Sequence, residues 1–175
     1  MIFILINMKI AFGYKMGAGK DEAVSYLINK FGGTKVSFSD PLYNIMYYAQ
    51  DICGFPHEKD RKFLQYIGTE WARNKNKNVW VNILTNKHYP ENKHFYIADL
   101  RFPNEYESLK KTGWTCVKIV RSHQEDRKGT GSHYHSSETA LDGLLDENWD
   151  YVIYNTGTLQ EFYSKLDYLV SKING

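Results

Sequence analysis

The sequence predicts an α/β protein in three layers, a five-stranded parallel sheet with helices on both faces. Three observations carry this. Short apolar runs recur five times, and segments of helical period separate them, as crossovers between parallel strands require. The first run, Ile10 to Phe12, ends in a glycine-rich turn that passes straight into a helical pattern. No internal repeat, low-complexity tract or linker divides the 175 residues, a length that suits one domain of ~100–200 residues. The expected organisation is a single domain over residues 1–175, with a helical insertion at about 55–90 and a flap at about 122–137.

Bulk composition narrows the function classes. The net charge of +2 gives no broad basic field that would demand nucleic acid or a membrane surface. The two cysteines, Cys53 and Cys116, stand in unrelated segments, so neither a disulfide framework nor a zinc site is indicated. Met1 to Ile6 is apolar but too short to span a bilayer, and it lacks the basic start and cleavage site of a signal peptide. Met8 is a candidate start, which makes residues 1–7 an extension. The expectation is a cytoplasmic protein without a membrane partner.

Residues 8–21, Met-Lys-Ile-Ala-Phe-Gly-Tyr-Lys-Met-Gly-Ala-Gly-Lys-Asp, organise the rest. A strand, a glycine turn, a lysine and a helix in that order hold nucleotide phosphates. Turn N–H groups point inward, the helix start adds partial positive charge, and the lysine reaches the β/γ-phosphates. The pattern is that of a P-loop, with two departures. Tyr14 stands where the first glycine belongs, and Asp21 followed by Glu22 replaces the hydroxyl that ligates Mg²⁺. The candidate ATP-phosphate set is Lys15, Gly17, Ala18, Gly19, Lys20, Asp21 and Glu22. A surface lysine after an ordinary glycine turn is the bland alternative, and the three small residues Gly17, Ala18 and Gly19 argue against it.

The remaining elements come in chain order. Ala23, Val24, Leu27, Ile28 and Phe31 share one face of a helix over 20–31, which Gly32 and Gly33 stop. Thr34 to Phe38 alternates as a strand. Ser39-Asp40-Pro41 opens a helix to about Ile52, with Ser or Asp as cap. Asp40 is read both as a cap and as a strand-end carboxylate in the crevice where open α/β sheets bind ligands. Residues 58–88 look all-helical. Arg61, Gln65, Thr69 and Arg73 recur there near helical spacing, either as a solvated face or as a phosphate clamp with base-reading groups.

Phe95 to Ala98 is a buried strand, and Asp99 ends it where P-loop enzymes place the carboxylate for Mg²⁺, usually through water, or for a hydroxyl proton. Arg101 lies two residues on, toward the same side. Pro103-Asn-Glu opens a helix to Lys111. Thr115 to Val120 and Trp149 to Tyr154 are further strands, and Thr158 caps a C-terminal helix. Between them, residues 122–137 carry no apolar period. Arg127 and Lys128 beside Gly129 and Gly131 suggest a basic flap that closes.

Several separated stretches resemble one family together. They are Gly-Tyr-Lys-Met-Gly-Ala-Gly-Lys-Asp (13–21), Phe-Ser-Asp-Pro-Leu (38–42), Leu-Gln-Tyr-Ile-Gly-Thr-Glu (64–70), Val-Trp-Val-Asn (79–82), Ile-Ala-Asp-Leu-Arg-Phe-Pro-Asn-Glu (97–105), His-Ser-Ser-Glu-Thr-Ala-Leu (135–141) and Asp-Tyr-Val-Ile-Tyr-Asn-Thr-Gly-Thr-Leu (150–159). Their order resembles the deoxynucleoside monophosphate kinases of tailed bacteriophages, in the nucleoside-monophosphate-kinase branch of P-loop NTPase folds.

The resemblance implies ATP and Mg²⁺ as cofactors and transfer of a phosphoryl group to a deoxynucleoside monophosphate in phage DNA precursor synthesis. It implies donor-phosphate contacts from Gly17, Gly19, Lys20 and Asp21, and a reacting centre at Asp99 and Arg101, with Asp99 and Asp21 as candidate metal ligands. The Gln65–Arg73 helix and Trp80 fall on the monophosphate side, where Asp40, Arg61 and Arg101 are further candidates. The 122–137 flap becomes the lid with Arg127 as a catalytic cation. Arg121, Asn155, Gly157 and Thr158 lie near the donor base.

Small nucleotides are the expected partners, and a homodimer stays open. Two alternatives keep the fold. One phosphorylates a hydroxyl of a modified base in DNA, with Asp99 or Asp40 as general base. The other is a nucleotide-binding module without turnover, motivated by Tyr14, Asp21 and Glu22.

Overall fold

The computed structural model describes residues 7–121 and 139–175. These divide into two compact units, one formed by the residues up to Val36 together with His88–Gly175, the other by Ser37–Lys87.

The first unit is built on a five-stranded sheet: β1 (Lys9–Gly13), β2 (Thr34–Lys35), β3 (Phe95–Leu100), β4 (Thr115–Val120) and β5 (Tyr151–Tyr154). The spatial order is β2-β3-β1-β4-β5, and every pairing is parallel. Such strands are covered on both faces, and their residues alternate accordingly. Ile10, Phe12, Val117, Ile119 and Ile153 join a core with Ala23, Val24 and Leu27 of α1 (Lys20–Phe31) and with Phe162, Leu166 and Leu169 of the C-terminal helix (Leu159–Asn174). The intervening residues Ala11, Ile97 and Cys116 are also fully buried. They point to the opposite face, where Trp149 lies against Gly13 and the helix Pro103–Lys111 follows β3.

The strand expected over 34–38 is shorter. Val36 still donates to the Tyr96 carbonyl, but the Ser37 N–H goes to the Asp40 carboxylate (3.1 Å) and the Ser39 N–H to the Ser37 hydroxyl (3.1 Å). Side-chain acceptors this close in sequence offer the backbone an alternative to the ladder.

The second unit holds α2 (Asp40–Cys53), α3 (Arg61–Gln65), a π turn (Tyr66–Trp71), α4 (Ala72–Lys75) and α5 (Val79–Thr85). Ser39 occupies the cap position of α2 but makes no side-chain cap bond. The all-helical expectation for 58–88 therefore meets a π register at 66–71, a turn before Val79, and no helix beyond Thr85. The unit begins at Ser37, ahead of residue 55, because α2 packs on the chain at 58–60: the Asp60 N–H meets Met46 Sδ (3.4 Å), and the Gln50 amide donates to the Glu58 carbonyl (2.9 Å).

His94, just before β3, is buried and accepts the Met8 N–H at Nδ1 (3.1 Å). Burial lowers its pKa. A base whose folded pKa is depressed adds stability above its unfolded value, and loses it as pH falls through the folded one. Stability is therefore expected to drop on acidification from about pH 6.5 downward. Denaturant titrations at several pH values check this: His94→Gln should flatten that slope.

Candidate active site

The turn after β1 is where the structure is most unusual. Tyr14 has φ +89°, the left-handed region that favours glycine, and among the described residues no other non-glycine does so. Its position is the one where a P-loop has its first glycine, so the backbone keeps the glycine conformation with a tyrosine in place. Such strain costs ~1–3 kcal/mol and needs support from the surroundings. Lys118, the β4 partner of Gly13, provides it: its ammonium lies 4.2 Å from the centre of the Tyr14 ring and pairs with Asp146 (2.8 Å). That ammonium, with the Tyr154 hydroxyl, holds Asp146 below the usual carboxylate range.

Tyr14→Ala keeps the backbone cost and loses the ring, whereas Tyr14→Gly loses the ring and relieves the backbone. The glycine variant is expected to be the more stable by roughly 1 kcal/mol. Urea unfolding of the pair checks this, and an alanine variant as stable as the glycine one would contradict it.

The turn closes on its own lysine. Lys20, 6% exposed, donates to the carbonyls of Lys15 (2.5 Å) and Tyr14 (3.1 Å). Gly17 and Gly19 have φ of +75° and +108°, so the chain winds round the lysine head. The Asn155 amide, after β5, donates to the Ala18 carbonyl (2.9 Å) and pins the loop from outside. Lys15 pairs with Asp142 (2.5 Å).

β3 runs one residue past the expected end, so Asp99 is its penultimate residue, before Leu100. β3 lies beside β1, and Gly13 is in register with Leu100, so Asp99 and Arg101 flank the residue opposite the start of the loop. Two steps on β1 (Ala11 to Gly13) match three on β3 (Ile97 to Leu100), a bulge of the kind that re-aims side chains beside active sites. The crossover from β1 runs toward one sheet edge and that from β3 toward the other, so this is also the point where ligands of open α/β sheets bind. Glu105, 1% exposed, accepts the Arg101 and Phe102 N–H groups (2.9 and 3.0 Å) and fixes the chain as it leaves β3. The Pro-Asn-Glu spacing was the available signal for Glu105, as in a capping box. Lys118 and Asp146 carried none.

Other candidates are placed differently. The Asp21 carboxylate pairs with Lys35 (2.6 Å), and the Glu22 carboxylate accepts the hydroxyl of Tyr163, whose ring stacks on Tyr26 at 4.0 Å. Both carboxylates stand in the first turn of α1 and make these contacts on its flank. Tyr163 thus engages Glu22, whereas the Asp21 pair is exposed and open to competition. Thr158 caps the last helix, its hydroxyl accepting from the Glu161 N–H (3.2 Å) while the Glu161 carboxylate accepts from Thr158. Gly157 adjoins the same carboxylate. Arg121 is exposed at the end of β4. Arg127 and the flap expected over 122–137 lie outside the described residues.

In the second unit, Arg61 and Gln65 are exposed, and Thr69 and Arg73 are half-buried. Trp80 is 3% exposed, and its indole N–H, its single polar group, donates to the Gly68 carbonyl (2.8 Å). It presents neither face nor donor to a ligand, a correction to its reading as a substrate contact. Among the described residues no group of three or more His, Cys, Asp or Glu side chains is arranged to hold a metal, and no helix is long and apolar enough to cross a membrane.

A parallel 2-3-1-4-5 sheet, a left-handed loop closed on a buried lysine and an aspartate near the end of the adjacent strand define a protein of the P-loop fold class. Shikimate kinase from Acinetobacter baumannii shares this fold with a TM-score of 0.52 over 98% of this chain and 96% of its own, at 16% identity. The family model for deoxynucleotide monophosphate kinase matches residues 57–166. A protein of Acanthamoeba polyphaga mimivirus provisionally named deoxynucleotide monophosphate kinase is 32% identical, over 86% of this chain and 89% of its own. The ORF77 protein of Ictalurid herpesvirus 1 is 39% identical over 78% of this chain and 60% of its own. The deoxynucleotide monophosphate kinase of Escherichia phage RB69 is 29% identical over 61% of this chain and 43% of its own. The chain belongs to the deoxynucleotide monophosphate kinase family and is by class a transferase.

Proposed function

We propose that the protein transfers the γ-phosphoryl group of ATP to the 5′-phosphate of a deoxynucleoside monophosphate. The observation that supports this most is the left-handed loop wound round Lys20 beside the strand that carries Asp99 next to its end. A phosphate oxygen is already anionic, so the acceptor needs no strong base. Catalysis then rests on positioning and on cationic stabilisation of the moving group.

In this reading the first unit is the donor side. Lys20 exchanges its two loop carbonyls for the β/γ-phosphate oxygens, and the turn N–H groups hold the β-phosphate. Lys15 joins them: its pair with Asp142 is partly exposed, and such pairs are worth at most ~1 kcal/mol, so a phosphate competes for it. Arg101 faces the transferred group. Asp99 would hold Mg²⁺ through water, and the ion, when bound, would neutralise phosphate charge. Arg61, Gln65, Thr69 and Arg73, in the second unit, are the acceptor side, with Asp40. Arg121, Asn155, Gly157 and Thr158 are the donor-base side, and Arg127 adds a cation. The setting is deoxynucleotide supply for viral or phage DNA synthesis, in the host cytoplasm.

The test is ADP release with ATP and Mg²⁺ against dAMP, dGMP, dCMP, dTMP, 5-hydroxymethyl-dUMP and the ribonucleotides. Turnover on at least one deoxynucleotide is expected. Release only with DNA bearing modified bases would favour hydroxyl phosphorylation instead. ATP binding with no transfer to any acceptor would leave a nucleotide-binding module.

A further inference from the structure

We infer that Trp80 is a positioning residue: by holding the Gly68 carbonyl it keeps residues 66–71 in the π register that lines up Gln65, Thr69 and Arg73. This rests on the proposed monophosphate side and adds to it a residue that never touches the substrate.

In an unbroken α-helix each residue turns ~100°, so positions four apart drift ~40° round the axis, and Gln65, Thr69 and Arg73 would fan across ~80°. The structure has a wider turn between them. The Ala72 N–H bonds to the Ile67 carbonyl, five residues back, and Tyr66–Trp71 form a π turn. A turn closed by i→i+5 bonds takes in more residues, which removes most of that drift. The three side chains then leave the helix near one line.

A π turn is a rare register that something must hold against reversion to α, and it is frequent at functional sites. Two features hold this one, both from residues that themselves face the interior. Gly68 is buried, and a Cβ there would meet Leu42 Cδ1 at 3.1 Å, so α2 packs directly on the turn. From the other side, α5 returns after the turn at 76–78, where the Val79 N–H reaches the Asn76 carbonyl. That return brings the Trp80 indole N–H to the Gly68 carbonyl at 2.8 Å. The two separated stretches, 64–70 and 79–82, thus act as one device: one carries the side chains, the other sets their register.

Trp80→Phe removes the donor and keeps a ring. Replacement by benzothienylalanine removes only the N–H, and serves if the phenylalanine variant folds poorly. Calorimetric titration of the four deoxynucleoside monophosphates and of ATP, with thermal melting alongside, reads the effect. Either Trp80 variant is expected to weaken monophosphate binding at least fivefold and to leave ATP binding within twofold. Leu84→Ala, which truncates a buried apolar side chain of the same helix, should lower the melting temperature at least as much yet leave monophosphate binding within twofold.

Unchanged monophosphate binding in the Trp80 variants overturns the inference, as does equal weakening by Leu84→Ala. Arg73→Ala and Thr69→Val separate it from the underlying reading. If neither weakens the monophosphate, or if the wild-type chain binds none, the acceptor side itself is misassigned and the inference falls with it. If they weaken it and the Trp80 variants do not, only the inference falls.

Discussion

Replacing Lys20 with alanine is expected to lower phosphoryl transfer by about 10²–10³-fold, the range for removing one preorganised charge-stabilising donor. The geometry explains why the loss should be in turnover and not in folding. The ammonium is nearly buried, and its partners are two carbonyls of its own loop, those of Tyr14 and Lys15. Burial of the charge costs about what those bonds return, so its removal should change unfolding free energy by no more than ~1 kcal/mol. Lys20→Arg should not restore transfer, because a planar fork cannot occupy a cage shaped round a point charge. Single-turnover kinetics beside urea unfolding check both halves. Near-normal turnover in the alanine variant would sink the assignment of Lys20 to the donor phosphates.

The second large effect is expected at Gly19. It caps α1 at φ +108°, ψ +16°, and a Cβ there would lie 2.7 Å from the Asn155 amide nitrogen. That nitrogen is the one bonded to the Ala18 carbonyl. Gly19→Ala therefore carries the left-handed cost of ~1–2 kcal/mol and also displaces the bond that pins the loop, worth ~0.5–1.5 kcal/mol. We expect a total loss of about 2–3 kcal/mol and at least tenfold weaker ATP binding. Gly54 is the control: at φ +68° it has open space where a Cβ would go. Gly54→Ala should cost only the backbone term and leave ATP binding alone. Equal stability losses at the two positions would show that Asn155 does not secure the loop.

The parts legible in the sequence are those written locally. Strand, glycine turn and Lys20 announce the phosphate loop through residue type and order alone. Asp99 was legible because an apolar run that ends in a carboxylate places it at a strand end, and the parallel sheet then brings that end beside β1. What could not be read depends on partners distant in sequence. Glu22 looked like part of the phosphate loop, but Tyr163, 141 residues on, takes its carboxylate. Trp80 falls on the monophosphate side by the resemblance, and only the return of α5 buries it against Gly68. Tyr14 read as a departure that cast doubt on the loop, yet its backbone kept the left-handed turn because Lys118 packs on its ring. The π turn was invisible for another reason: nothing local in Tyr-Ile-Gly-Thr-Glu-Trp separates a π from an α register, and packing from α2 and α5 selects it.

Following the label from γ-labelled ATP tests the central claim most directly. The protein is incubated with labelled ATP, Mg²⁺ and each deoxynucleoside monophosphate, and the products are separated. The account predicts label in the β-phosphate of a deoxynucleoside diphosphate, lost in the Lys20→Ala variant. Label recovered only as inorganic phosphate, or only on a hydroxyl of DNA, would contradict it.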